Sequence, residues 1–297
     1  MSRERQDMVE KWQPCVVWAG LVLILFGTVA GAAQRSILRD LAYVPNGHER
    51  QKLDLYLPAD GTAAPVPVII WVHGGAWLAG SKDRCPAQRF VDAGYAVASI
   101  NYRLSQHATF PAQIQDCKAA VRWLRAHASR YNLDPQRFGV WGASAGGHLV
   151  ALLGTAGNVD DFDVGENPDV SSRVQAVCDF FGPTDFTKMR DFPSAMDHDA
   201  ADSPESKVIG GAVQENEEKV QRANPITYVT KDDPPFLIVH GDKDPLVPHN
   251  QSELLLSALQ KVEVEARLYT VEGGGHGGFQ DPNVNRLVAE FFAKHLK

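Results

Sequence analysis

The chain contains 297 residues, of which 44% are hydrophobic and 22% are charged, and its formal net charge is -7. This composition is that of an ordinary globular protein, and it excludes disordered and coiled-coil chains. A net negative charge disfavours binding to polyanions, so we expect no nucleic-acid partner. The length suffices for one large α/β domain or two small ones.

The first 33 residues differ from the rest of the chain. A charged opening precedes an apolar run from Val16 to Ala30, and small residues follow as far as Ala33. This order is typical of a secretory signal peptide, whereas an uncleaved anchor needs roughly 20 apolar residues to cross a bilayer. The sequence therefore predicts a signal peptide over residues 1–33, a periplasmic or secreted domain over residues 34–297, and no stable membrane insertion after cleavage.

Strands and helices alternate along the predicted domain. Apolar and polar residues alternate in the first two predicted strands, and a continuous apolar run that ends in glycine predicts a fully buried third strand. The predicted strands are residues 37–43, 51–57, 66–75, 95–100, 137–142, 174–181, 235–241 and 266–269. The predicted helices are residues 112–129, 145–153, 250–261 and 283–294. This alternation indicates an α/β fold with a mostly parallel central sheet and helices on both faces.

The stretch from Pro183 to about Asp233 interrupts this alternation. It is polar and rich in Asp and Glu, and it lacks the apolar content of a second core. We interpret it as a small insertion that partly covers the active site of a single domain.

The carboxyl ends of four predicted strands carry residues with catalytic chemistry. Ligands bind at these ends in a parallel sheet. The glycine-rich loop from His73 to Trp77 follows one strand, and Ser144 follows another within Gly-Ala-Ser-Ala-Gly. Asp244 and His276 follow the last two. The four strand ends therefore predict one site that holds a serine, an acid, a base and a tight loop.

Ser144 lies between a predicted strand and a predicted helix, with Gly142 and Gly146 on either side. A nucleophile elbow requires this context, because its turn is tight and its serine has a strained backbone. A Gly-x-Ser-x-Gly motif alone is weak, and the competing interpretation is a serine that merely caps the helix. The partners on neighbouring strand ends favour a catalytic nucleophile.

His276 is the candidate base, because a serine hydroxyl needs one to become a nucleophile. It lies in a glycine-rich loop and comes after the acid in the chain. His148, four residues after Ser144, is the nearest competitor, and we expect it to be buried and structural. His73 and His240 end strands, and we expect them to brace their loops.

Asp244 and Asp242 both lie on the loop where the acid is expected. We favour Asp244 as the group that orients the base, and we expect Asp242 to fix the loop. The resulting order of serine, aspartate and histidine is that of α/β-hydrolases.

Backbone N–H groups must stabilise the oxyanion of an acyl-transfer reaction. We expect the N–H of Ala145, which follows the nucleophile, and those of Gly75 and Ala76 to form this oxyanion hole, with Gly74 as a further candidate. Trp77 is a candidate wall of the substrate pocket, although an aromatic residue beside a loop is more often part of the packing.

The chemistry of this site needs no cofactor and no metal ion. His198 lies between Asp197 and Asp199, a group that suggests a metal site. On an acidic loop we expect these three side chains to be solvated instead.

Three cysteines follow the predicted signal peptide. Cys85 follows the first active-site loop and Cys117 lies early in a helix. Export would allow them to pair, so we predict a Cys85–Cys117 disulfide, whereas Cys178 is predicted to be a small buried apolar residue.

Four motifs, HGGAW, GASAGG, HGDKDPLVP and GGGHG, occur in this order. In this order and spacing the chain resembles the hormone-sensitive-lipase-like esterases, and within them most closely the bacterial feruloyl and acetyl-xylan esterases. The resemblance implies the α/β-hydrolase fold, a nucleophile at Ser144, an acid at Asp244 and a base at His276. It also implies hydrolysis of short-chain or polysaccharide-linked esters through an acyl-enzyme. A peptidase or amidase of the same fold and an inactive binding protein are the alternatives.

Two features depart from the resemblance. Many members have HGGG where this chain has HGGAW, so Ala76 replaces a glycine. An alanine can still donate its backbone N–H if its φ is negative. The predicted elements also include no counterpart of the large helical cap of many such lipases, so we expect an open site that suits esters carried by a polymer.

Overall fold

A computed structural model describes residues 35–59 and 64–297. The predicted signal peptide, residues 1–33, lies outside the described residues. The strands are β1 (Ser36–Ala42), β2 (Lys52–Leu57), β3 (Val66–Val72), β4 (Ala96–Ile100), β5 (Leu133–Ala143), β6 (Ala176–Phe180), β7 (Phe236–Gly241) and β8 (Ala266–Val271). The α-helices are α1 (Ala112–Ala126), α2 (Ala145–Thr155), α3 (Pro204–Ile209), α4 (Glu217–Ala223), α5 (Asn250–Lys261) and α6 (Pro282–Leu296).

The strands of the described residues form one eight-stranded sheet in the order β1-β2-β4-β3-β5-β6-β7-β8. The pairs β1–β2 and β2–β4 are antiparallel, and all the other pairs are parallel. This arrangement confirms the predicted mostly parallel sheet. The carboxyl ends of β3, β5, β6, β7 and β8 consequently lie at one edge of the sheet, where the candidate site is found.

Apolar clusters cover both faces of the sheet. Strand β3 shows the alternation that produces them: Val68 and Ile70 belong to the larger cluster, with α1, α2 and α5, whereas Ile69 belongs to the smaller one, with α6. A strand that is buried on both faces must be apolar at every position, which explains the continuous apolar sequence from Val66 to Val72.

The segment from residue 183 to residue 233 contains α3, α4 and short 3₁₀ turns. Its buried side chains, including Phe186, Val208 and Val220, pack into the larger cluster and form no core of their own. This packing agrees with the interpretation as an insertion, but the two short helices were not predicted.

The predicted disulfide is wrong, because Cys85 and Cys117 are both free thiols. Cys117 lies in α1 within the larger cluster, whereas Cys85 packs against the smaller cluster on the other face of the sheet. The sheet therefore separates the two side chains. Cys178 is fully buried, as predicted.

Several element boundaries also differ from the prediction, among them those of α1 and β5. Helix α1 ends at Ala126 and a 3₁₀ turn follows it, whereas the prediction continued the helix to residue 129. Strand β5 begins at Leu133, four residues before the predicted start, because Leu133 already pairs with Val66 of β3. None of the described helices is long and apolar enough to cross a membrane.

Candidate active site

Ser144 occupies the sharp turn between β5 and α2. Its backbone has φ 57° and ψ -123°, a strained conformation for a residue with a side chain. A hydrogen bond of 2.8 Å from its N–H to the carbonyl of Phe180 holds the turn. A Cβ at Gly142 would lie 2.2 Å from the carbonyl oxygen of Gly146, and one at Gly146 would lie 2.2 Å from that of Val72. Both flanking glycines are therefore required by close backbone contacts, as the motif predicted.

Asp244 follows β7 and is buried. Its Oδ2 lies 2.7 Å from Nδ1 of His276, and its Oδ1 accepts hydrogen bonds from the N–H groups of Leu246 and Val247 at 2.8 and 3.0 Å. Burial alone would raise the pKa of Asp244, but the hydrogen bonds from His240, His276 and the Val247 backbone outweigh it and hold the pKa well below its ordinary value. Asp244 is therefore an ionised carboxylate directed at Nδ1 of the His276 imidazole.

His240, four residues before Asp244, supports the same carboxylate. Its Nε2 lies 3.2 Å from Oδ2 of Asp244 and 2.9 Å from the carbonyl oxygen of Val247, and its Nδ1 lies 2.7 Å from Oγ of Ser252. A carbonyl oxygen only accepts hydrogen bonds, so Nε2 carries the hydrogen. The sequence predicted that His240 braces its loop, but it did not predict a contact with the acid.

His276 lies in the glycine-rich loop after β8. Its ring centroid is 4.6 Å from that of Phe181, which packs against one face. The loop is fastened by Asp242, whose Oδ1 accepts a hydrogen bond of 2.6 Å from the N–H of Gly273. The structure thus separates the two aspartates as predicted, because Asp244 contacts the imidazole and Asp242 anchors the loop that carries it.

Ser144 and His276 line one cavity of about 60 Å³. Ala76, Trp77 and Ala145 line the same cavity, so most of the predicted site residues meet there. Asp244 contacts Nδ1 of His276 and is not among the described residues that line the cavity. Gly75 is not among the described residues that line the cavity. Gly75 forms a turn of the same loop, and its carbonyl accepts hydrogen bonds of 2.9 Å from the N–H groups of Leu78 and Ala79.

The insertion supplies another side of this cavity. Pro183, Met196, Pro204 and Glu205 all contribute to its lining. The hydrogen bond of 2.7 Å from the N–H of Ala195 to the carbonyl of Pro245 ties the insertion to the loop that carries the acid. The expectation that this segment partly covers the site is therefore confirmed.

The oxyanion loop departs from the expected backbone. Ala76 has φ 56° and Trp77 has φ 55°, so the condition of a negative φ at Ala76 is not met. The turn uses the left-handed conformation that a glycine adopts without strain, at a cost of roughly 1–2 kcal/mol for a residue with a side chain. On the other side of the cavity, Ala145 is the first residue of α2, where an N–H has no partner within the helix.

Trp77 is both a wall of the cavity and part of the core. Only 1% of its surface is exposed, and its ring packs edge-on against His148 at 5.1 Å and tilted against Phe186 at 5.4 Å. Trp77 is therefore part of the packing, as one interpretation expected, and it also lines the cavity, while its contact with substrate stays a prediction.

Two of the competing histidines are structural. Nε2 of His148 lies 2.8 Å from the carbonyl oxygen of Ala223, and burial lowers the pKa of His148 to about 4. His73 is held by the carbonyl of Gly74 and by Arg50, and burial also lowers its pKa to about 4. Neither His148 nor His73 is among the described residues that line the cavity with Ser144.

The expectation that His198 is solvated is wrong. Only 3% of its surface is exposed, and its Nδ1 lies 3.1 Å from Oε1 of Glu205, which is equally buried. Asp197 points into solvent, and Asp199 pairs with Arg190 instead. The partner of His198 is therefore Glu205, seven residues further along the chain, and neither of its acidic neighbours in the sequence.

The described strands form an eight-stranded, mostly parallel sheet, with a serine at a strained strand–helix turn and a buried aspartate paired with a histidine beside it. This combination defines the α/β-hydrolase fold. The profile of the BD-FAE family, which is hormone-sensitive-lipase-like, matches residues 53–259. The chain belongs to the BD-FAE family.

Two solved structures and a curated protein are similar to the chain. A truncated carbohydrate esterase from gut microbiota is 36% identical with a TM-score of 0.81, over 87% of this chain and 95% of the other. A bifunctional GH43-CE protein of Bacteroides eggerthii is 38% identical with a TM-score of 0.80, over 87% of this chain and 38% of the other. Esterase LipQ of Mycobacterium tuberculosis is 34% identical over 272 residues, 89% of this chain and 62% of LipQ. The chain spans about half to three-fifths of the length of the curated relatives it matches first.

Proposed function

We propose that the protein is a serine hydrolase of carboxylic esters, with Ser144 as nucleophile, His276 as general base and Asp244 as the acid that orients it. The contact of 2.7 Å between Asp244 and His276, at a cavity that Ser144 also lines, carries the proposal. Similarity to proteins named as esterases supports the same class of reaction.

The reaction follows from these positions. Nε2 of His276 takes the proton of the Ser144 hydroxyl while Oγ attacks the ester carbonyl, and the ionised Asp244 stabilises the resulting imidazolium. The N–H of Ala145 donates to the oxyanion, and the loop with Gly75 and Ala76 supplies the further donor. Ala76 would donate from its left-handed conformation, so the negative φ expected from the sequence is not a requirement in this proposal. The imidazolium then gives its proton to the leaving alcohol, and an acyl-enzyme on Ser144 remains. A water molecule, deprotonated by His276, releases the acid and restores the serine.

We further propose that the substrates are esters of short acyl groups, such as acetyl esters carried by a polysaccharide. The cavity beside Ser144 is small, about 60 Å³, which supports a small acyl group. The carbohydrate esterases named among the similar structures support a sugar as the alcohol. A feruloyl group is bulkier than an acetyl group, so its esters are the less favoured members of the predicted class.

A panel of esters tests this function. Hydrolysis of p-nitrophenyl acetate, butyrate and octanoate is compared with that of acetylated xylan and methyl ferulate, with Ser144→Ala as the control. We expect acetate esters to be the best substrates and the variant to lose activity. If no ester is hydrolysed but amides are cleaved, the peptidase or amidase is favoured. If neither esters nor amides react, the inactive binding protein is favoured.

We also propose that the chain is exported after cleavage near Ala33. The sequence pattern of residues 1–33 is the support for this proposal. Amino-terminal sequencing of the protein secreted by a bacterial host tests it, and an intact, cell-associated Met1 would contradict it.

A further inference from the structure

Glu205 places a carboxylate at the same cavity as Ser144 and His276. Only 3% of its surface is exposed. The neighbouring lining residues Pro204 and Leu246 are apolar. A carboxylate costs much free energy in such surroundings unless another group compensates its charge, so its presence here needs a physical reason.

His198 supplies the compensating charge. Its Nδ1 lies 3.1 Å from Oε1 of Glu205, and its Nε2 lies 3.0 Å from the carbonyl oxygen of Leu246 and 3.0 Å from Oγ of Ser194. The carbonyl oxygen requires a hydrogen on Nε2, and the carboxylate favours one on Nδ1 as well. Burial lowers the pKa of His198, but the hydrogen bond and charge of Glu205 and the Leu246 carbonyl outweigh it and raise the pKa. The contact of 3.1 Å and the raised pKa of His198 both favour the protonated ring, whose charge balances the carboxylate.

The second oxygen of this carboxylate is unused. Oε2 of Glu205 is buried and has no hydrogen-bond partner among the described residues. Nε1 of Trp77, another residue that lines the cavity, is likewise a buried donor without a partner in the described part of the chain. Buried polar atoms are normally paired. A buried carboxylate at the wall of this cavity, with one oxygen unpaired, favours a ligand group that can donate a hydrogen bond, as a neutral hydroxyl does.

We propose that Glu205 is a specificity-determining residue, whose carboxylate accepts a hydrogen bond from a hydroxyl group of the ester substrate. His198 is the positioning residue that holds the carboxylate and balances its charge. The hydroxyl belongs either to the alcohol, as in a sugar, or to the acyl group, as in a hydroxy acid. This inference rests on the proposed ester hydrolysis and adds a preference for hydroxylated esters.

Two matched pairs of esters show whether the hydroxyl belongs to the alcohol or to the acyl group. Cyclohexyl acetate and the monoacetate of trans-1,2-cyclohexanediol differ by one hydroxyl on the alcohol, and phenyl acetate and phenyl glycolate differ by one on the acyl group. The readout is the ratio of kcat/KM within each pair, divided by the ratio of the alkaline hydrolysis rates. Because a hydrogen bond to a charged group is strong, we expect the protein to prefer the hydroxylated member of one pair by roughly ten- to hundredfold.

Two variants assign this preference to the carboxylate. Glu205→Gln keeps the shape but not the charge, and we expect the preference to fall about fivefold or more. The double variant Glu205→Leu with His198→Leu replaces both charged partners by apolar side chains, which a buried pair usually tolerates. It is expected to abolish the preference for the hydroxylated ester. Asp197→Asn, an exposed change on the same segment, is the matched control and should alter neither ratio.

The outcomes separate the two proposals. Hydrolysis that persists in Ser144→Ala contradicts the proposed function itself. Hydrolysis that depends on Ser144 but shows no hydroxyl preference in either pair overturns the role of Glu205 alone, and so does a preference that survives in Glu205→Gln and in the double variant. If the double variant does not fold, the ratios of the unmodified protein and of Glu205→Gln decide the question.

Discussion

Oδ2 of Asp244 lies between two imidazoles, 2.7 Å from Nδ1 of His276 and 3.2 Å from Nε2 of His240. The N–H groups of Leu246 and Val247 bind the other oxygen. Every contact favours the ionised carboxylate in a fixed orientation. Asp244 can therefore orient the ring of His276 and stabilise its protonated form without itself taking up the proton.

Asp244→Asn should lower kcat on p-nitrophenyl acetate by about 10⁴-fold, because an amide in this place favours the wrong tautomer of His276. The matched control is Asp242→Asn on the same loop, whose amide oxygen can still accept from the N–H of Gly273. We expect that variant to retain kcat within about fivefold, since it loses only the charge of a loop anchor. Equal losses in the two variants would contradict the assignment of the acid.

The positions of these residues were predictable because they depend on local patterns. Period-two and continuous apolar runs gave the strands, and the rule that ligands bind at the carboxyl ends of parallel strands brought Ser144, Asp244 and His276 together. The sharp turn at Ser144 was predictable from its flanking glycines, since close backbone contacts exclude a side chain at either one.

Features that depend on long-range packing were not predictable. Cys85 and Cys117 lie on opposite faces of the sheet, and the face that each residue takes depends on how the chain crosses the sheet. The buried pair of His198 and Glu205 depends on α3, a helix too short for its apolar period to be recognised. The φ of Ala76 is set by the turn around it and not by its own side chain.

The loop before Trp77 allows a paired test of this strained turn. Ala76→Gly should leave kcat within about threefold and the free energy of unfolding within about 1 kcal/mol, because relief of left-handed strain and the greater chain entropy of glycine nearly cancel. Gly75→Ala should lower kcat by about 10²-fold or more, since its Cβ would lie 2.4 Å from the carbonyl oxygen of Ala79 and displace the oxyanion donors. Steady-state kinetics and thermal unfolding measure both effects, and a tolerated Gly75→Ala would contradict the role of this turn.

Asp179 at the end of β6 gives a test by pH. Burial raises its pKa to about 7, although the N–H of Gly182 donates a hydrogen bond of 3.0 Å to Oδ1. Between the ordinary pKa of a carboxyl, about 4, and about 7, the native state retains a proton that the unfolded chain has lost, so stability falls as the pH rises through this window. Asp179→Asn removes this titration and keeps an acceptor for Gly182.

The free energy of unfolding of Asp179→Asn, minus that of the unmodified protein, should therefore increase by about 2 kcal/mol between about pH 5 and about pH 8. Urea titrations of both proteins at the two pH values measure this difference. A difference that is the same at both values would show that the carboxyl titrates normally in the folded protein.

If Ser144 is the nucleophile, a fluorophosphonate, which reacts with an activated serine, should label this residue. The intact protein and Ser144→Ala are treated with the reagent, and intact mass and peptide mapping locate the adduct. We expect one adduct on Ser144, complete loss of ester hydrolysis on labelling, and no adduct in the variant. An adduct on another residue, or undiminished hydrolysis by Ser144→Ala, would contradict the assignment of Ser144 as the nucleophile.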